Sequence, residues 1–453
     1  MLSKILFVSV FSLSAMTFSS CHLAGTAAQA DKPVAGGGSA GVAENEGGLV
    51  VGQTGGTDGQ GSAQKSEEKD ATIAREPGAA SFGSEEIRQS VTGGLRWLLS
   101  KQNEDGGFGP TQHNPRLKGS SDLGITALCV YAIGRIPEEW RETAGTALTR
   151  ALRFLLDRQQ DDGSFYDPKD PSLQNYKTSV AGLALLTLGR EKYQEQISRA
   201  VEFVKSQQFA GPRGYEKGRD LHWGGIGYGN RSNVQSDLSN TNYALEFLHE
   251  AAESGTSSTF ERAQAFLTRA QNAPRDDPLR LAAGVRTTGD GGFAYGPDST
   301  RGPVESLDDG TSRHSSYGSM SYAGLKSFLH AEVDRDDPRV RMVYDWVRTH
   351  WTLQENPGMA TPEDVLAGQQ GLFYYFHTMA KALDAYGERK LVDGRGRGHD
   401  WARELGARLV RLQRPVGFWL NEADRWMEGL PEVTTSFSLL ALTICQDWIE
   451  SRH

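Results

Sequence analysis

Asp122 and Asp237 each open a run of small and apolar residues, Asp122-Leu123-Gly124-Ile125-Thr126 and Asp237-Leu238-Ser239-Asn240-Thr241. A carboxyl group in that position can act as an acid toward a cavity, or it can cap a helix and answer its dipole. His377 follows the aromatic run Phe373-Tyr374-Tyr375-Phe376, and His314 stands upstream of it near Asp308 and Asp309. Imidazoles beside carboxylates can hold a metal, move a proton or donate to a ligand. Two acidic runs end in proline, Asp334-Arg335-Asp336-Asp337 before Pro338 and Arg275-Asp276-Asp277 before Pro278. Asp before Pro is the chemistry of a helix start. Glu428, Glu432, Glu363 and Asp364 have the residue types for paired-carboxylate glycan chemistry, but they read as solvated loop positions. The chain has no phosphate loop of the Gly-x4-Gly-Lys-Ser/Thr kind.

These residues must be positioned by a repeat. Trp97-Leu98 is followed by Gln102, Gly106 and Phe108, and the same frame returns as Phe154-Leu155, Gln159, Gly163 and Phe165. It returns as Leu409, Gln413, Gly417 and Trp419. Two copies carry insertions, Gln208 to Gly224, Gly225 and Tyr228, and Gln271 to Gly291, Gly292 and Phe293; a sixth has Trp351 where Gln is expected. In mechanical terms an amphipathic helix ends in a Gln whose amide reaches neighbouring carbonyls. Glycines then turn the chain, and an aromatic plugs the corner.

Polar-faced helices are predicted at 84–102, 137–160, 191–208, 258–272, 337–352 and 398–413, with Ser84 as the first N-cap. Between them lie small and apolar stretches from 121, then at 176–189, 236–252, 315–330, 371–386 and 433–450, which read as helices buried on every side. Six such hairpins closing on themselves make an all-α (α/α)6 toroid over 84–453, with an open solenoid as the competing arrangement. Aligned on Thr126 and Thr241, the inner helices put Gly124, Ser179, Ser239, Gly318, His377 and Ser436 in one column around the central mouth. The long connections 209–235 and 273–314 are candidate lids or binding loops. Cys129 and Cys445, on the first and last inner helices, read as buried free thiols.

The Gln-Gly-aromatic frame resembles the QW motif of squalene-hopene and oxidosqualene cyclases, and the Gly-Gly-Phe ends resemble the repeats of protein prenyltransferase β subunits. In the cyclases an Asp-x-Asp-Asp run opens one inner helix and its middle Asp protonates the substrate. Asp122 and Asp237 match the first Asp alone, so the proton donor of that chemistry is missing. Against the prenyltransferases, His377-Thr378 resembles the pair that supplies a zinc-binding His. The matching Asp and Cys would fall near His314 and Ser316, so no metal or other cofactor is expected. The resemblance implies a central cavity that binds a hydrophobic isoprenoid, a lipid or a protein segment without cyclase chemistry. His314, Tyr317, Tyr322, Tyr374, Phe376, His377, Trp223, Tyr228 and Trp419 are candidate lining residues, and His377, Asp237 and Asp122 are candidate catalytic ones. A divergent cyclase or transferase using His377, His314 or Asp237, and an inert interaction scaffold, are the alternatives.

The totals fit this reading. A net charge of −9 without a basic run argues against nucleic acid. Residues 1–30 read as an export signal: Lys4, then an apolar stretch too short to span a membrane. Phe18-Ser19-Ser20-Cys21 has the form of a lipobox, which would make Cys21 a lipidation site and the membrane surface a partner; Ala28-Gln29-Ala30 is the competing cleavage site. Residues 31–83, poor in aromatics and rich in Gly, Ser and Glu, read as a flexible tether. The expected location is the periplasm or cell envelope.

Overall fold

The computed structural model describes residues 82–229, 235–252 and 257–451; the signal segment, Cys21 and nearly all of the expected tether lie outside the described residues. Helices follow in the order α1 (Ser84–Leu99), α2 (Leu123–Arg135), α3 (Gly145–Leu156), α4 (Gln174–Gly189), α5 (Gln194–Ser206), α6 (Leu238–Ala251) and α7 (Ser257–Ala270). Then come α8 (Pro278–Ala282), α9 (Gly318–His330), α10 (Pro338–Thr349), α11 (Leu372–Tyr386), α12 (Trp401–Leu412) and α13 (Pro431–Glu450). Each expected helix is found; most are a few residues shorter than predicted, α3 begins only at Gly145 after two 3-10 turns, and α4 and α13 begin two residues earlier.

Helices α2, α4, α6, α9, α11 and α13 form the inner ring: each packs on the next, and α13 packs on α2. The ring is therefore closed. Inner helices are buried nearly all round, as in α2, where every residue from Leu123 to Ile133 is covered. Outer helices bury one stripe, such as Ile87, Val91, Leu95 and Leu98 of α1. The first outer helix also docks on the last hairpin, α1 against both α12 and α13. Ser84 is not the N-cap of α1; that position is Gly83, and the Ser84 hydroxyl instead donates to Glu450 at the end of α13, 2.5 Å away.

The glutamines are the stitches between hairpins. Gln102 Nε2 donates to Gly106 O of its own corner at 2.9 Å and to Ala147 O of the next outer helix at 2.7 Å. Gln159 bridges Gly163 O and Gln196 O, Gln208 bridges Gly224 O and Thr259 O, and Gln271 bridges Gly291 O and Arg339 O. Gln413 closes the circle, donating to Gly417 O at 2.7 Å and to Ser90 O of α1 at 2.9 Å. At the degenerate joint, Arg408 Nε reaches Leu353 O at 3.0 Å, and the Trp351 ring packs on His399 instead.

Each corner residue after the glycines gives its N–H to a hydroxyl of an inner helix: Phe108 to Thr126, Phe165 to Thr178, Ile226 to Thr241, Phe293 to Ser321 and Trp419 to Thr435. This register corrects the sequence alignment. The residues two before those hydroxyls are Gly124, Tyr176, Ser239, Ser319 and Val433, so Ser179, Gly318 and Ser436 belong to other faces. Small residues at the helix starts are interchangeable to the eye, and only the plug contact fixes the turn.

The 273–314 connection carries α8 and a small sheet, β1 (Val285–Arg286), β2 (Val304–Ser306) and β3 (Ser312–His314), in the order β1-β3-β2. β1 runs parallel to β3, and β2 antiparallel to it. An antiparallel pair, β4 (Lys390–Val392) and β5 (Gly398–Asp400), joins α11 to α12. Among the described residues, no helix is long and apolar enough to cross a membrane.

Candidate functional site

The hub has two unlike halves. Toward the inner-helix N-termini it is filled by rings: Tyr176 meets Tyr243 edge-on at 5.0 Å, Tyr374 lies 5.7 Å from Phe437, and Phe437 stacks on His377 at 5.2 Å. Tyr374, half-buried, shares a hydrogen bond with Ser239. Toward the C-termini the ring opens into a cavity of about 480 Å³. Leu183, Leu186, Leu329 and Ile444 line part of its wall, and Arg135, Lys381 and His330 line another part.

Between the halves sits a buried charge cluster that sequence reasoning missed. Glu246 of α6 accepts from Lys326 of α9 and from Lys381 of α11, and Tyr131 Oη of α2 donates to it at 3.0 Å. Four of the six inner helices thus meet on one carboxylate. Burial alone would raise the Glu246 pKa, but the two ammonium groups outweigh it and hold the carboxyl well below the usual range. Lys326 is pushed down to about 8 because burial exceeds the pull of Glu246, whereas Lys381 is held above the usual lysine range. The two lysines move oppositely around one partner.

The expected site residues divide. His377 faces this hub, nearly fully buried, and neither ring nitrogen has a hydrogen-bond partner among the described residues. Burial, then the charge of Lys381, keeps its imidazole neutral. His314 lies elsewhere, at the end of β3, where burial and then Arg280 lower its pKa. The two histidines do not share a site, and Asp309 is exposed and tied to Arg286 and Thr311. Among the described residues, no three His, Cys, Asp or Glu side chains are grouped to hold a metal.

Asp122 and Asp237 are N-caps, accepting from Ile125 N at 3.1 Å and Asn240 N at 2.8 Å. Asp237 is raised to about 6 by burial, which its hydrogen bonds from Asn240 and Tyr295 only partly offset. The Tyr295 hydroxyl is itself 2.8 Å from that of Tyr228, which is half-buried. Tyr317, Tyr322, Phe376 and Trp419 are covered on all sides. Trp419 is a corner plug whose indole N–H donates to Leu409 O at 2.8 Å, and Tyr322 packs edge-on against Tyr375. Trp223 is buried in the third corner, its carbonyl accepting from Arg269. None of these five lines the cavity, and neither do His314, Tyr228, Tyr374 and His377.

Glu428 and Glu432 are not solvated loop residues. Glu428 is fully buried and caps α11, accepting from Tyr374 N at 2.7 Å, Phe373 N at 3.3 Å and Asn421 Nδ2 at 2.6 Å. Burial still raises it to about 7. The acidic runs before prolines are caps as expected, Asp337 for α10 and Asp277 for α8. Cys129 and Cys445 are buried free thiols, both held well above the ordinary range by burial.

No family model matches the chain, and no curated protein does. Among solved structures it is similar in fold to the type II terpene cyclase MstE from Scytonema, at 12% identity over 81% of this chain and 99% of that one, with a TM-score of 0.49. It is similar also to the GH76A α-1,6-mannanase from Salegentibacter sp. HEL1_6, at 12% identity over 81% of this chain and all of that one, TM-score 0.47. A protein from Actinoplanes matches at 16% identity over 79% of this chain and 99% of that one, TM-score 0.45. The closed ring rests on the helix packing above, and likenesses this distant assign no activity.

Proposed function

We propose that this is an exported toroidal binding protein that holds a small amphipathic molecule in the cavity at the C-terminal ends of the inner helices, without class II cyclase chemistry. The lining carries the reading: leucine and isoleucine walls suit an acyl or isoprenoid body, while Arg135 and Lys381 suit a polar end. Asp122 and Asp237 are spent on caps, and the half of the hub that they adjoin is filled by tyrosine rings. Export, and attachment to a membrane through a lipidated Cys21, rest on the sequence of residues 1–30. The test is organic extraction of natively purified full-length protein, followed by mass spectrometry and by incubation with squalene or with prenyl diphosphates and metal. A retained amphiphile and unchanged substrates are expected. Turnover abolished by His377→Ala would overturn the reading.

The enzyme alternative draws on one observation, the raised pKa of Asp237 and its link through Tyr295 to Tyr228. Product formation lost in Asp237→Asn would favour it.

A further inference from the structure

The floor of the cavity has one cation too many. Lys326 and Lys381 share a single carboxylate, Glu246, and Lys326 and Glu246 are each only 1% exposed. The cavity wall adds Arg135 and Arg190 against Glu250 and Asp384. Arg190 is engaged by the Ala251 and Glu250 carbonyls at the end of α6, and Asp384 accepts from the Trp448 indole at 2.8 Å. The exposed wall is balanced, with Asp447 also facing Arg135, so the excess lies in the buried hub, where two cations meet one carboxylate. Buried charge is costly unless paired, and the surplus sits where Tyr131 and Lys381 both contact Glu246 and line the cavity.

A second observation points the same way. His330 lines this cavity at 9% exposure, and its Nδ1 has no hydrogen-bond partner among the described residues. Its ring stacks on that of His249 at 4.6 Å, which fixes its plane. A neutral imidazole can donate an N–H to an oxyanion without adding charge.

We infer that Lys381, His330 and Arg135 form a site for an oxyanion, the carboxylate or phosphate end of the ligand, whose charge completes the Glu246 cluster. The inference rests on the cavity being the binding site, and it names the chemistry that the cavity selects. The experiment is calorimetric titration of the full-length protein with octanoate, octanol and inorganic phosphate. Octanoate should bind saturably and at least about tenfold more tightly than octanol, since a charge-assisted hydrogen bond is stronger than a neutral one. Phosphate competing with octanoate supports the same site, and phosphate binding alone would identify a free oxyanion as the ligand. Lys381→Met leaves Glu246 and Lys326 as a neutral pair, so it should lose the preference for octanoate without melting earlier. Equal affinity for octanol and octanoate, or an unchanged preference in Lys381→Met, overturns the anion site while leaving the cavity reading intact. No binding of any probe removes both. If Lys381→Met does not fold, His330→Phe carries the test: weakened octanoate with unchanged octanol supports the site, and equal weakening overturns it.

Discussion

Gln413→Ala tests the closure of the ring. Its amide donates to Ser90 O of the first outer helix and to Gly417 O of its own corner, and its carbonyl accepts from Ser90 Oγ at 2.7 Å. Truncation removes three hydrogen bonds and leaves partly covered acceptors behind. At roughly 1 kcal/mol each in a half-buried setting, the loss is about 2–3 kcal/mol. That is a large fraction of a stability of about 5–15 kcal/mol. Gln159→Ala, at a joint far from either chain end, breaks the same pair of carbonyl contacts and should cost a similar amount. In an open array a terminal joint has a neighbour on one side only, so its loss would be cheap beside that of an internal one. Urea unfolding followed by tryptophan fluorescence measures both variants, with exposed Gln89→Ala as the control. A Gln413→Ala cost indistinguishable from the control, alongside a normal cost for Gln159→Ala, would refute the closed ring.

Other expectations concern corners and charges. Gly106 has φ +86°, and a Cβ there would stand 2.8 Å from the Arg150 carbonyl. Gly106→Ala should therefore destabilise by about 1–3 kcal/mol, through backbone strain added to the clash, as read from the urea midpoint. Glu428 binds its proton more tightly in the folded state, at about 7, than its ordinary 4.5. Its contribution is complete below pH 4.5 and is lost as pH rises through 7, at most about 3 kcal/mol by linkage. Asp237 slopes the same way at lower pH, so the comparison is wild type against Glu428→Gln in urea melts at pH 5 and pH 7.5. Equal slopes in the two proteins would count against the assignment.

The ring was legible because its grammar is local. A Gln four residues before a Gly bonds that Gly's carbonyl, and the spacing shows in the sequence even when the partner helix does not. The hub was not legible, because its partners come from α2, α6, α9 and α11 and no spacing relates them. A usable signal was nonetheless present. Glu246 lies in Ala244-Leu245-Glu246-Phe247-Leu248, Lys326 in Gly324-Leu325-Lys326-Ser327-Phe328 and Lys381 in Met379-Ala380-Lys381-Ala382. A charged residue in a helix covered on all sides must find an opposite charge there. A residue that plugs a corner and one that packs the hub share the same composition, and only burial separates Trp419 from Tyr374.

The Ser84 to Glu450 contact, with Gln446 also reaching Ser84, places the two ends of the folded chain side by side. The order of the hairpins along the polypeptide is then incidental to the architecture. A circular permutant that fuses residue 451 to residue 82 through a short linker, and begins at Glu191 in the exposed turn between α4 and α5, keeps every glutamine bridge and all four members of the charged hub. Such a protein has no privileged first repeat, and its topology is a necklace whose clasp can be moved.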